Sequence, residues 1–233
     1  MATVLITGVG REGQVGEAVA AAFAGRGDVV LLVDRAAEQV EARALGLRDA
    51  GHMAHGYACD LTDEAQVAAL VGHVVSHHGA SLDALVNLAG GWVGGGSVAA
   101  TELAVWDRLF AINVRTALVT TRAFLPALRA ARGAIVCFAS EAVLPGADVA
   151  GMAAYAASKQ GVATLVSALA SEERAHGVRA NAVAPASIRT RDNLAAMSAG
   201  ERYVEREDVA AAVLWLCSPA AAAVTGQVIR LAP

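Results

Sequence analysis

Apolar and polar residues are grouped in blocks along this chain. Short apolar runs of strand length recur at Val4–Ile6, Val29–Val33, Ala84–Leu88, Ala134–Ala139 and Val178–Val183, with less regular ones at His55–Cys59 and Gln227–Leu231. Between them lie longer segments that predict helices near Gly16–Ala24, Ala36–Ala50, Asp63–His78, Val105–Ala131, Met152–His176 and Glu207–Cys217. A run that is apolar at every position, and not at every second one, predicts a strand buried on both faces. Seven such strands alternating with helices predict an α/β protein with a doubly wound parallel sheet in three layers. Ligands on such sheets bind beyond the carboxyl ends of the strands, where the strand order reverses. No repeat, linker or shift in composition divides the chain, so residues 1–233 read as a single domain.

Composition narrows the partners. The chain has 233 residues, enough for a large core, and a net charge of -4 with no basic run to attract nucleic acid. Its 56% hydrophobic content is largely alanine, and no uninterrupted apolar stretch matches the thickness of a membrane. Met1–Thr7 reads as the first strand, not as a signal peptide. Cys59, Cys137 and Cys217 are scattered among apolar residues and read as buried free thiols, which fits a cytoplasmic protein. His73, His77 and His78 lack a neighbouring carboxylate or cysteine, so they read as a polar helix face and not as a metal site.

The chemistry concentrates in a few places. Tyr155 and Lys159 stand four residues apart, which stacks them on one helix face. A phenol titrates near pH ~10, and an adjacent ammonium pulls it down toward acid–base work. Ser140, directly after the strand Ala134–Ala139, is placed to meet that tyrosine in one cleft. Glycines 8, 10, 13 and 16 fill the loop between the first strand and helix, where backbone N–H groups and the helix N-terminus favour a pyrophosphate. Asp34 ends the second strand, where a carboxylate accepts ribose hydroxyls and repels a 2′-phosphate; a plain turn residue is the other reading. That favours NAD(H), while Arg11 and Arg35 nearby leave NADP(H) open. Asp60-Leu61 suits an adenine contact and equally a helix cap. Asn113, inside the long helix, calls for a reason beyond helix propensity, of which solvent exposure is the plainest.

Taken in order, the glycine loop, Asp34, Asn87-Leu-Ala-Gly90, Asn113, Ser140, Tyr155-x-x-x-Lys159 and Asn181-Ala-Val-Ala-Pro185 resemble the short-chain dehydrogenase/reductase family over essentially the whole chain. The resemblance implies a Rossmann fold and a nicotinamide cofactor. It implies that Tyr155 donates a proton to a substrate oxygen, with Lys159 lowering its pKa and holding the nicotinamide ribose. By the same resemblance, Ser140 bonds that oxygen and Asn113 holds a water of the proton relay. Asn87, Ala89, Gly90, Pro185, Ile188 and Thr190 are expected at the cofactor, and the protein is expected to be a homodimer or homotetramer with a small-molecule substrate. Two departures stand out. The family's Thr-Gly-x-x-x-Gly-x-Gly carries two extra residues here, with Gln14 where the middle glycine would fall, and the Ser140–Tyr155 segment is also about two residues longer than is usual in the family. Ala89–Gly95 with Trp92 is similar to a segment of the dihydropteridine reductases. That likeness raises a flat heterocyclic substrate beside Trp92; packing of Trp92 on a glycine loop is the other reading.

Overall fold

In the computed structural model, which describes residues 1–197 and 200–233, seven parallel strands form one sheet in the order β3-β2-β1-β4-β5-β6-β7. The strands are β1 (Thr3–Thr7), β2 (Val29–Asp34), β3 (Ala54–Ala58), β4 (Ala84–Asn87), β5 (Ala134–Phe138), β6 (Arg179–Pro185) and β7 (Val228–Leu231). The chain starts at the centre, winds outward to β3, then returns to lay β4 on the other side of β1. Val4 faces Val30 on one side and Ala84 on the other, so the order reverses between β1 and β4.

Alternate strand residues feed two separate cores, which is why the runs are apolar throughout. Leu5, Leu31, Val33, Leu85 and Ile135 pack under α3 (Glu64–His78), α5 (Thr116–Ala131) and α6 (Ala153–Glu172). Val4, Ile6, Val30, Leu32 and Val86 pack under α1 (Val15–Gly25), α2 (Ala37–Asp49) and α8 (Arg206–Leu216).

The helix expected over Val105–Ala131 starts at Leu103 and is not uniform. It runs as α4 (Leu103–Phe110), a π turn (Ala111–Arg115) and then α5. The amide of Thr116 reaches back to the carbonyl of Ala111, and the Thr116 hydroxyl donates to the Ile112 carbonyl at 2.7 Å. The wide turn lets Asn113 point inward, only 2% exposed, so solvent exposure does not account for it. Single π turns of this kind commonly sit at functional sites. Beyond β6 lies a short helix, α7 (Arg191–Ala196), in a segment where the sequence predicts no element.

Candidate active site

The carboxyl ends of β1, β2, β4, β5 and β6 open into one cleft of about 1330 Å³. Gly8, Asp34, Asp60, Leu61, Ala89, Gly90, Trp92, Ser140, Tyr155, Lys159, Pro185 and Ile188 all line it. Twelve of the residues anticipated from sequence therefore meet on one surface.

The glycine loop is built differently from expectation. Gly8 has φ +77°, and a side chain there would run into the backbone of Ala89 at 2.8 Å, so β1 and β4 approach closely where the cleft begins. Thr7 stitches the same junction: its hydroxyl accepts from the amides of Leu88 and Ala89 at 3.1 and 3.0 Å. Gly10, Gly13 and Gly16 do not line the cleft. The Gly10 amide donates to Asp34 at 2.9 Å, the Gly13 amide to Glu17 at 2.8 Å, and Gly16 lies beneath the Gly8 carbonyl. Gln14 and Val15, at the start of α1, line the cleft instead, and no side chain caps that helix end. Uncapped first-turn N–H groups with the helix dipole behind them suit an anion.

Asp60 is an adjunct to α3 and not its cap. Its carboxylate accepts from the Thr62 amide and hydroxyl at 2.9 and 2.7 Å, and those bonds hold its pKa below the ordinary value. The helix is capped by Asp63, which accepts from the amides of Ala65 and Gln66. Arg11, Arg35, Gln39 and Thr62 also line this end of the cleft. Arg11 and Arg35 stand near Asp34 as the sequence places them, whereas Gln39 and Thr62 carry no sequence signal of a shared site.

Three other anticipated residues take supporting places. Asn87 is buried, with its amide donating to Thr121 at 2.8 Å and toward the Cys137 sulfur at 3.7 Å, so its side chain braces β4 against α5 and β5. Thr190 caps α7, accepting from the Asn193 amide at 3.2 Å. Asn113 is expected to hold a water, but its side chain is committed elsewhere. It accepts from the Gly91 amide at 2.9 Å and donates to the Gly91 carbonyl and to Ser158, each at 3.0 Å. Both amide hydrogens are thereby engaged. A side chain on Gly90 would come within 2.4 Å of Asn113 Oδ1, which leaves room only for glycine. Ser158, fully buried, passes the chain on by donating to the Tyr155 carbonyl at 2.7 Å. The pattern Tyr-x-x-Ser-Lys shows this serine, but nothing in sequence reveals its partner 45 residues away.

At the far end stand Ser140, Tyr155 and Lys159. Lys159 is 6% exposed; its ammonium donates to the Phe138 carbonyl at 2.8 Å and lies 5.9 Å from the centre of the Tyr155 ring. Burial lowers the Lys159 pKa to about 8. The expected depression of the Tyr155 pKa does not occur. Burial pushes the phenol above its ordinary value, opposed by its hydrogen bond with Ser140, because loss of solvent penalises the phenolate more than these neighbours favour it. At neutral pH the cleft thus presents a protonated phenol beside a hydroxyl and a buried lysine.

A cleft at the switch point of a doubly wound sheet, with an uncapped helix end and a tyrosine–lysine pair on one helix face, is the architecture of a dinucleotide-dependent oxidoreductase. The short chain dehydrogenase family model matches residues 2–199. The inactive 2-(S)-hydroxypropyl-CoM dehydrogenase 2 of Xanthobacter autotrophicus is 36% identical, over 88% of this chain and 94% of its own. The cis-4-hydroxycyclohexanecarboxylate dehydrogenase of Sinomonas cyclohexanicum is 35% identical, over 93% and 90%. A solved structure described as an NAD(P)-dependent gluconate 5-dehydrogenase from Beutenbergia cavernae with bound NADP superposes with a TM-score of 0.87 at 31% identity, covering 98% of this chain and 94% of that one. The chain belongs to the short-chain dehydrogenase/reductase family, and it is an NAD(P)-dependent oxidoreductase acting on alcohol or carbonyl groups. Among the described residues no helix is long and apolar enough to cross a membrane.

Proposed function

We propose that this protein interconverts a small alcohol and its carbonyl, with NAD(H) preferred over NADP(H) and Tyr155 as the acid–base group. The observation that carries this reading is the protonated Tyr155 held beside Ser140 at the substrate end of the cleft. The dinucleotide fits the residues present. The uncapped first turn at Gln14 and Val15 suits its pyrophosphate, Asp34 its adenosine ribose, Leu61 and Thr62 its adenine, and Lys159, Pro185 and Ile188 its nicotinamide half. When bound, the cofactor supplies or accepts the hydride. Tyr155 gives its proton to the carbonyl oxygen in reduction and takes it from the hydroxyl in oxidation. Ser140 donates a hydrogen bond to the same oxygen, and Lys159, cationic below pH ~8, offsets the charge left on the phenolate.

The NAD(H) preference rests on Asp34, whose carboxylate would face a 2′-phosphate, while Arg11 is drawn away by Asp192. The partner is a small-molecule substrate. Leu103, Trp106 and Leu118, exposed on α4 and α5, support a homodimer or homotetramer built on the long helix and the tyrosine helix α6. The free thiols Cys59, Cys137 and Cys217 fit the cytoplasm. The relative named as inactive makes a silent dinucleotide binder the competing reading. The joint presence of Ser140, Tyr155 and Lys159 in one cleft favours turnover. Calorimetric titration, paired with a panel of secondary alcohols and ketones, decides it. NADH is expected to bind at least ~10-fold more tightly than NADPH, or about 1.4 kcal/mol, with turnover of at least one panel member. Equal affinities would overturn the role given to Asp34, and binding without any turnover would favour the silent reading.

A further inference from the structure

The two residues that lengthen the glycine loop are not aimed at a phosphate. Arg11 pairs with Asp192, and Glu12 with Arg191 at 2.8 Å, both partners being the first residues of α7. Between these pairs the Arg191 amide donates to the Gly13 carbonyl at 3.0 Å, and the Arg191 side chain packs over Gly13. The pairing is crossed: plus-then-minus on the loop meets plus-then-minus on the helix in opposite order. A slip of one residue would set Arg11 against Arg191 in one direction or Glu12 against Asp192 in the other, so the pattern specifies one register. The other side of this segment lines the cleft through Asn193, Ala196 and Met197. Asn193 also donates to the Ile188 carbonyl at 2.8 Å, tying α7 back to the end of β6. Helix α7 is therefore held from two sides, by the strand it follows and by a loop 181 residues earlier in the chain at the Arg11–Asp192 pair.

We propose that Arg11 and Glu12 are positioning residues for the substrate: their crossed ion pairs hold α7 over the cleft, so the lengthened glycine loop governs substrate retention. The inference rests on the oxidoreductase reading of this cleft. The same loop leads into Gln14 and Val15, whose N–H groups suit the pyrophosphate, so ordering the loop orders the helix. Cofactor and substrate then tighten each other's binding, as linkage requires. Each pair is exposed, about half of every side chain remaining in solvent, so the individual contributions are small and their sign is what identifies them.

The test is a charge swap at the pair whose members do not line the cleft. Glu12→Arg and Arg191→Glu are each expected to raise the KM of the best alcohol or ketone about 3–10-fold, with kcat changed less than ~2-fold. The double variant Glu12→Arg/Arg191→Glu restores the pair and should return KM to within about 2-fold of the parent. Amide hydrogen exchange over 191–196, measured with NADH bound, should quicken in each single variant and slow again in the double one. Unchanged KM and exchange in the single variants, or effects that simply add in the double one, would overturn the latch. If the parent turns over no substrate, the oxidoreductase reading fails, and the exchange measurement still decides the latch. Should a reversed charge prevent folding, Glu12→Gln and Arg191→Met delete the pair alone; a rise in KM of about 2–3-fold is then expected, and none would refute the idea.

Discussion

The two ends of the cleft hold their polar residues under opposite physical conditions. At the glycine-loop end, Arg11, Glu12, Arg191 and Asp192 pair in the open, and Glu17, more than a third exposed, is shared between Arg43 and Arg206. Water screens these charges, so each pair adds little and the loop is held by several weak ties. At the Tyr155 end, Asn113, Ser158 and Lys159 are nearly or wholly buried, and the side chain of each has a hydrogen-bond partner. Burial pushes Lys159 down and Tyr155 up. One end is thus adjustable by degrees, while the other depends on a few groups, each strongly perturbed. Perturbed groups in a cleft are where proton chemistry is to be sought.

The largest effect expected from this contrast is at Tyr155. Tyr155→Phe keeps the ring and removes the transferable proton, so turnover should fall about 10²–10⁴-fold while NADH affinity stays within ~2-fold. Loss of cofactor binding instead would mean that the ring, and not the proton, is what the site needs. Ser140→Ala should cost less, about 10–100-fold, since it deletes one hydrogen bond to the developing oxyanion. That variant also separates substrates: a flat heterocycle that accepts hydride with no carbonyl to polarise would leave Ser140→Ala almost silent while Tyr155→Phe still lowers the rate.

The smallest effect concerns stability and pH. The folded-state pKa of Lys159, about 8, lies below its ordinary value of 10.5. Between those values the unfolded chain holds a proton that the folded chain lacks, so stability contributed at this residue rises with pH across that window. Below pH ~8 both states are protonated, and the cost of the buried ammonium is constant. Lys159→Met removes this dependence. Thermal melts from pH 7 to 10 should show the parent gaining on the variant at the alkaline end, and parallel curves would mean that the lysine is not desolvated as the structure has it. At the exposed end, the charge swap between Glu12 and Arg191 completes the comparison with its few-fold, reversible change in KM.

How legible each end was follows from the same physics. The strands announced themselves because both faces of the sheet are covered: Leu31 and Leu32 point to different cores, and each must be apolar. Tyr155 and Lys159 were legible because four residues make one helical turn, and Ser140 because it ends a buried strand. Asn113 was conspicuous, but the π turn that buries it was not, since nothing in Ala-Ile-Asn-Val-Arg alone departs from ordinary helix. Helix α7 went unread because six residues make fewer than two turns, too few to show a period.

The residues themselves therefore determined the parallel α/β sheet, the dinucleotide-dependent class of enzyme and the placing of Tyr155 and Lys159 on one helix face, because these depend on local periodicity and on motif spacing. Only the tertiary structure decided which glycines line the cleft, where Asn87, Asn113 and Thr190 point, that α7 is tied to the glycine loop, and that the Tyr155 pKa rises. Each of these depends on contacts between distant parts of the chain or on removal from water. Desolvation belongs to the packed assembly, and no spacing along the chain encodes it.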